Sequence, residues 1–274
     1  MSVSSIGLGT YLGAPSERVD QAYAGAVATA VCGGINFLDS AINYRHQRSE
    51  RSIATALSSL FDSGEFRRDE IVVCTKAGFL TPGAVDPGTL RDGDVVGGMH
   101  SMAPDFLADQ IDRSRANLGL ETLDVFYLHN PETQLGHIPR EAFDDRVRAA
   151  FARLEQKVSE GKIGCYGAAT WDGFRKPDAL SLPRLAEIAR EEGGTDHHFR
   201  FIQAPFNLAM TELASIGVLD EARKLGVTVV SSASLLQGRL DAQRAIEFVR
   251  STPGITVALI GMSNAAHVKE NLAV

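Results

Sequence analysis

The sequence predicts a single (β/α)8 barrel, an α/β TIM barrel spanning residues 1–274, on three observations. Eight short, nearly continuous apolar runs alternate with eight segments of helical period. Strands that are apolar on both faces and joined through helices belong to a parallel sheet, and eight such units in 274 residues are the barrel count. No linker or low-complexity tract divides the chain, and the first strand leads into TYLGAP, not the GxGxxG turn that an open dinucleotide-binding sheet would carry there.

The elements follow in order. SIGLG at 5–9 reads as the first strand and 17–32 as its helix, which Gly33 and Gly34 end by turning the chain into INFLD at 35–39. A helix over 47–60 leads to IVVCTK at 71–76. The longest irregular stretch, 77–103, is rich in glycine and proline; in a barrel it lies at the C-terminal face, as a lid or substrate wall. A helix over 104–118 precedes LDVFYLH at 123–129, and one over 140–160, closed by Gly161, precedes KIGCYG at 162–167. The remaining pairs are helix 181–192 with FIQAP at 201–205, helix 212–225 with VTVVSS at 227–232, and helix 241–250 with TVALIG at 256–261; a last helix runs over 264–272.

Composition narrows the function. With 44% hydrophobic and 22% charged residues the chain is globular, and a net charge of -7 offers no electrostatic footprint for nucleic acid or an anionic membrane. No apolar run approaches a membrane span and no basic leader opens the chain, so a cytoplasmic enzyme or binding protein is expected. Cys32, Cys74 and Cys165 lack CxxC spacing and read as reduced core thiols. No metal site is expected, because no HExxH or cysteine-rich spacing occurs, and the adjacent His197 and His198 read as surface or structural residues. No GxSxG elbow or phosphate-binding GxxxxGK[ST] loop occurs either.

Polar residues at strand ends carry the chemistry. Asp39, Lys76 and His129 end the second, third and fourth strands, and Tyr44 follows Asp39 by five positions, so a barrel would gather all four over one mouth. A phenol with a pKa of about 10 is a weak acid near neutrality. A neighbouring ammonium such as Lys76 stabilises the phenolate and is expected to lower that pKa, Asp39 would hold the ammonium, and His129 would hydrogen-bond a substrate oxygen. Such a group can donate a proton to a carbonyl oxygen during reduction or remove it in the reverse direction.

At these residues the sequence resembles the aldo-keto reductases, nicotinamide-dependent barrel enzymes. The likeness runs through GLGTYLG, GINFLDSAINY, VVCTKAGF, LDVFYLHNPE, GKIGCYG, FIQAPFNL, ASLLQGRL and HVKENL in order, and YLHNPE and ASLLQGRL are closest to a bacterial and plant sugar-dehydrogenase branch. The resemblance implies that Asp39, Tyr44, Lys76 and His129 form the catalytic tetrad. It also implies a cofactor wall in which Thr170 (beside Ala169, where the family has serine) and Gln203 hold the nicotinamide amide. Ser232 replaces a stacking tyrosine, Leu235, Gly238 and Arg239 follow the pyrophosphate, and Gly261, His267, Glu270 and Asn271 surround the adenosine. Gly261 and His267 stand where the family places cations for a 2'-phosphate, so NAD is modestly preferred over NADP, unless Arg239 or Lys269 replaces them. Tyr11, Phe79, Trp171 and Phe206 would form the substrate wall around a small carbonyl or sugar substrate. Many members carry a longer tail over the pocket; with the chain stopping at Val274, closure is expected to fall to the 77–103 loop, or the site to stay open. The alternative is a non-catalytic cofactor-binding or regulatory barrel.

Overall fold

Side chains along a strand alternate between two faces, so in a barrel every second residue points inward and its neighbours meet the helices. The computed structural model, which describes residues 2–274, follows this rule. In chain order its elements are β1 (Ile6–Gly9), α1 (Glu17–Cys32), β2 (Phe37–Asp39), α2 (Arg48–Asp62), β3 (Val72–Ala77), the short strands β4 (Val95–Val96) and β5 (His100–Ser101), α3 (Pro104–Leu118), β6 (Leu123–His129), α4 (Arg140–Ser159), β7 (Ile163–Ala169), α5 (Leu182–Gly193), β8 (Phe199–Pro205), α6 (Glu212–Ser215), α7 (Val218–Leu225), β9 (Thr228–Ser232), α8 (Ala242–Ser251), β10 (Val257–Gly261) and α9 (Ala265–Leu272). Eight parallel strands close in the order β1-β10-β9-β8-β7-β6-β3-β2. This is a (β/α)8 barrel.

Two cores result. Phe37, Val72, Cys74, Val125, Tyr127, Phe201, Val230 and Val257 fill the barrel, while a larger shell including Leu38, Val73, Phe126, Ile202 and Val229 packs under the helices. The alternation sets up the mouth. Asp39 lies two residues beyond Phe37, Lys76 two beyond Cys74, His129 two beyond Tyr127 and Gln203 two beyond Phe201, so each caps the inward row of its own strand. Register then aligns the strands, with Asp39 opposite Cys74 and Lys76 opposite Tyr127. The remaining strand ends carry small residues: Ala169, Ser232, Gly261 and Gly9.

The structure departs from the sequence reading in three places. The segment expected as one helix over 212–225 is broken, because Gly217 takes a left-handed φ of 87° between α6 and α7. The 77–103 loop is folded: β4 and β5 pair antiparallel, Phe79 bridges His100, and the Ser101 amide donates to the Gly78 carbonyl at 2.8 Å. Cys32 is exposed at the last position of α1 and is no core thiol, whereas Cys74 is buried and Cys165 partly so. Among the described residues no helix is long and apolar enough to cross a membrane.

Candidate active site

The three strand-end residues and Tyr44 do meet. Lys76 is fully buried, and its ammonium donates to Asp39 Oδ1 and, at 2.6 Å, to the Ser40 carbonyl. Asp39 Oδ2 accepts from Gln203 Nε2 at 2.8 Å across the mouth. Burial raises the Asp39 carboxyl above its ordinary value, against the pull of Lys76 and Gln203, and two donors on one carboxylate fit its ionised form. Lys76 Nζ also stands 5.1 Å from the centroid of the Tyr44 ring, whose edge faces His129 at 5.7 Å between centroids and 78° between planes.

Electrostatics sort the roles. Burial by itself pulls the Lys76 ammonium down, but the groups around it, the Asp39 carboxylate first, more than compensate and hold it above its ordinary value. Burial pushes His129 well below the usual imidazole range, with the Lys76 charge adding to the effect, so the ring is neutral. For Tyr44 the outcome differs from the lowering expected of a neighbouring ammonium: desolvation raises the phenol, and the opposing pull of Lys76 is smaller. The hydroxyl therefore keeps its proton at neutral pH, and Lys76 stands where it favours the phenolate once that proton has left.

Other aromatic residues frame the opening. Tyr11, 59% exposed, meets the Tyr44 ring at 5.0 Å, and Phe79 meets the His129 ring edge-on at 5.2 Å. Trp171 is exposed on the loop after β7. Phe206 does not join this wall. It is 1% exposed and stacked on Phe248 of α8 at 5.6 Å, because its position just past β8 turns the ring under the helix layer.

Sequence reasoning missed the support behind His129. His100 of β5, buried, donates from Nε2 to the His129 carbonyl at 2.8 Å and accepts at Nδ1 from Gln134 at 2.9 Å, while Gln134 Oε1 accepts from Arg146 at 2.6 Å. The tautomer follows from these partners, since a carbonyl can only accept and an amide nitrogen can only donate. No sequence signal marks this role, because the contact joins an irregular loop to a strand 29 residues away.

A nicotinamide cofactor fits the other half of the mouth. Thr170 Oγ1, buried directly after β7, has no hydrogen-bond partner among the described residues, and the neighbouring strand ends carry the small Ala169, Ser232 and Gly261. Beyond it the chain makes a tight loop through Leu235 and Gly238 with left-handed residues at Ala233, Leu236 and Gln237, and Arg239 is exposed without an ion pair among the described residues. The Asn264 side chain caps α9 by accepting from the His267 amide at 3.0 Å. His267, Lys269 and Glu270 are exposed on that helix, whereas Asn271 is buried.

Residues 5–247 match the family model described as the Aldo/keto reductase family. The chain belongs to this family. Among curated relatives, this aldo/keto reductase is similar to the 6-dehydroglucose reductase of Novosphingobium aromaticivorans, 27% identical over 88% of this chain and 67% of that one. It is also similar to the NADH-specific methylglyoxal reductase of Escherichia coli, 26% identical over 68% of this chain and 54% of the relative. The chain thus spans between about half and two thirds of these relatives' lengths. Among solved structures it shares its fold with an aldo/keto reductase from Klebsiella pneumoniae in complex with NADP and acetate, at a TM-score of 0.70 and 19% identity over 99% of this chain and 85% of the other.

Proposed function

We propose that this aldo/keto reductase interconverts a carbonyl compound, an aldehyde, ketone or sugar lactone, with the corresponding alcohol or lactol. The observation that carries the reading is the buried Asp39–Lys76 pair beneath Tyr44, with His129 against the same ring. A buried ammonium–carboxylate pair is weak evidence for stability, because desolvation offsets the attraction. Its value here is chemical.

A bound nicotinamide would supply or accept the hydride. Tyr44 gives its proton to the carbonyl oxygen as negative charge develops there, and Lys76 stabilises the phenolate left behind. Asp39 keeps Lys76 charged and pointed at the phenol. The neutral His129 imidazole hydrogen-bonds the same oxygen and orients the substrate. In the oxidative direction the Tyr44 phenolate accepts the proton, by microscopic reversibility.

On the cofactor side, Thr170 and Gln203 would hold the carboxamide, Ser232 would border the ring without stacking on it, Leu235, Gly238 and Arg239 would hold the pyrophosphate, and Gly261, His267, Glu270 and Asn271 would hold the adenosine. We read a modest preference for NAD(H). Gly261 has no side chain to bind a 2'-phosphate, an imidazole at His267 is a weaker anchor than a guanidinium, and the chain carries a net charge of -7. The name of the NADH-specific relative agrees, whereas the Klebsiella neighbour holds NADP. Titration with all four nicotinamide cofactors at fixed ionic strength tests both parts. Saturable binding with NADH at least as tight as NADPH is expected. NADPH binding more than about tenfold tighter, roughly 1.4 kcal/mol, overturns the preference and points to Arg239 or Lys269.

A further inference from the structure

A hollow of about 670 Å³ opens between the loop after β6 and the loop after β7, outside the tetrad. Its wall includes Asn130, Glu132, Thr133, Trp171, Asp172 and Lys176. Asn130 directly follows His129 and Trp171 directly follows Thr170, so the hollow starts one residue from the mouth on both sides. It has the size of a small-ligand site, far more room than a three-carbon carbonyl compound fills.

Trp171 is its main apolar surface, and it is 45% exposed although tryptophan is among the most valuable side chains to bury. The exposure is built in. Glu132 Oε1 accepts from three successive backbone amides, those of Trp171, Asp172 and Gly173, at 2.8, 3.1 and 3.3 Å. Gly173 completes the turn where a Cβ would press to 2.6 Å from Leu180 and 2.9 Å from Thr170. A carboxylate thus fixes the backbone that carries the ring.

The surroundings select the ligand. Three carboxylates, Glu132, Asp172 and Asp178, line the hollow, and the cations beside it are already engaged: Lys176 pairs with Asp172 at 2.8 Å, Arg175 with Asp172 at 3.6 Å and Glu212 at 2.6 Å, and Arg140 donates to the Asp178 and Ala179 carbonyls, so an anion is disfavoured. The Asn130 amide and Thr133 hydroxyl offer both donors and acceptors, as neutral hydroxyl groups require. A rigid aromatic face beside such groups suits a ring with an apolar face and a hydroxylated edge.

We propose that this hollow is a saccharide subsite, and that the substrate is a disaccharide or other glycosylated carbonyl compound with its reacting carbonyl at Tyr44 and His129 and its second ring on Trp171. The placement of the carbonyl rests on the function proposed above. Occupancy of the subsite does not require turnover.

Trp171 is the only tryptophan in the chain, so all tryptophan emission comes from the wall of the subsite. Cofactor-free protein would be titrated with maltose and cellobiose, then with glucose, methylglyoxal and choline. A saturable change with at least one disaccharide is expected, at half-saturation about tenfold or more below that of glucose, with none for methylglyoxal. In turnover, Trp171→Ala should lower kcat/KM for the disaccharide about tenfold more than for methylglyoxal, and Trp171→Phe should recover most of the loss, as stacking on a ring predicts. Silence towards both disaccharides, or a stronger response to choline, overturns the subsite. Turnover of methylglyoxal with no disaccharide response leaves the proposed reaction standing and removes the subsite; disaccharide binding without any carbonyl turnover does the reverse.

Discussion

Behind the tetrad the His100 imidazole meets the backbone of His129, and burial keeps both rings uncharged. His129 faces the mouth, whereas His100 hangs between the His129 carbonyl and Gln134, and burial pushes it down to about 4. The consequence for stability has a definite sign. Between the unfolded value of 6.5 and the folded value of about 4 the unfolded chain binds a proton that the folded chain does not. Stability is therefore fully present above that window and is lost as pH falls through it, by about 3 kcal/mol from this residue. His100→Gln retains a donor for the carbonyl but cannot titrate. Urea unfolding at neutral pH and near the bottom of the window should show a smaller acid loss in the variant than in the parent; equal losses would place the titration on another group.

At the scale of elements, the turn between β2 and α2 presents Tyr44, and three residues directly after it, Arg45, His46 and Gln47, have φ of 51°, 53° and 69°. Each left-handed non-glycine residue costs about 1–2 kcal/mol, so the turn requires external support. Arg45 supplies it. Its buried guanidinium donates to the Ala14 and Ser16 carbonyls at 3.1 and 3.3 Å, pairs with Asp20 of α1 and lies 5.1 Å over the Tyr23 ring. The Gln47 backbone N–H donates to the Ile42 carbonyl at 2.9 Å, and its side-chain oxygen accepts from Asn117 of α3 at 3.1 Å. Arg45→Ala should cost about 2–4 kcal/mol and lower kcat with it, because charged hydrogen bonds vanish while the strain stays. Arg45→Gly should cost about 1 kcal/mol less, since glycine takes this φ freely. Denaturant unfolding of both variants checks the order, and Arg45→Gly being the weaker of the two would contradict it. This turn also marks the limit of legibility. The spacing of Tyr44 from Asp39 is plain in the sequence, yet Arg, His and Gln carry no left-handed signature, because contacts with α1 and α3 impose that conformation. The 77–103 loop is similar: its hairpin is held by His100 and by Arg146, which donates to the Gly93 carbonyl at 2.7 Å, and neither partner is local.

For the whole molecule, the barrel was readable because a period of two governs each strand and because Asp39, Lys76 and His129 interrupt apolar rows where strands end. Helix 212–225 was misread because Gly217 sits inside an otherwise helical pattern. For Phe206 the sequence left substrate wall and packing open, because its position relative to α8 depends on packing and not on its strand; the ring is buried on Phe248. Barrel closure depends on close approach at specific glycines. A Cβ on Gly167 of β7 would lie 2.1 Å from the Phe201 carbonyl oxygen of β8, where the register between these strands shifts. The obstacle is backbone and cannot rotate away, so Gly167→Ala should cost about 3 kcal/mol or more and disturb Thr170 and Gln203 at the strand ends. Gly25→Ala in α1 is the control, because its added methyl meets nothing within 4 Å and it should gain about 0.5–1 kcal/mol from helix propensity. Thermal unfolding should move in opposite directions for the two variants, and a Gly167→Ala protein as stable as the parent would refute the close-approach argument.

The central claim is that Tyr44 moves the proton and Lys76 makes that possible. It is tested most directly by turnover of the Tyr44→Phe protein in parallel with its cofactor affinity. The ring, its contacts with Tyr11 and His129, and the cofactor side of the mouth all remain, so affinity should stay within about threefold of the parent, while kcat should fall about a hundredfold to ten-thousandfold. A Tyr44→Phe protein that turns over at the parental rate across the active pH range would contradict the account and assign proton transfer to another group.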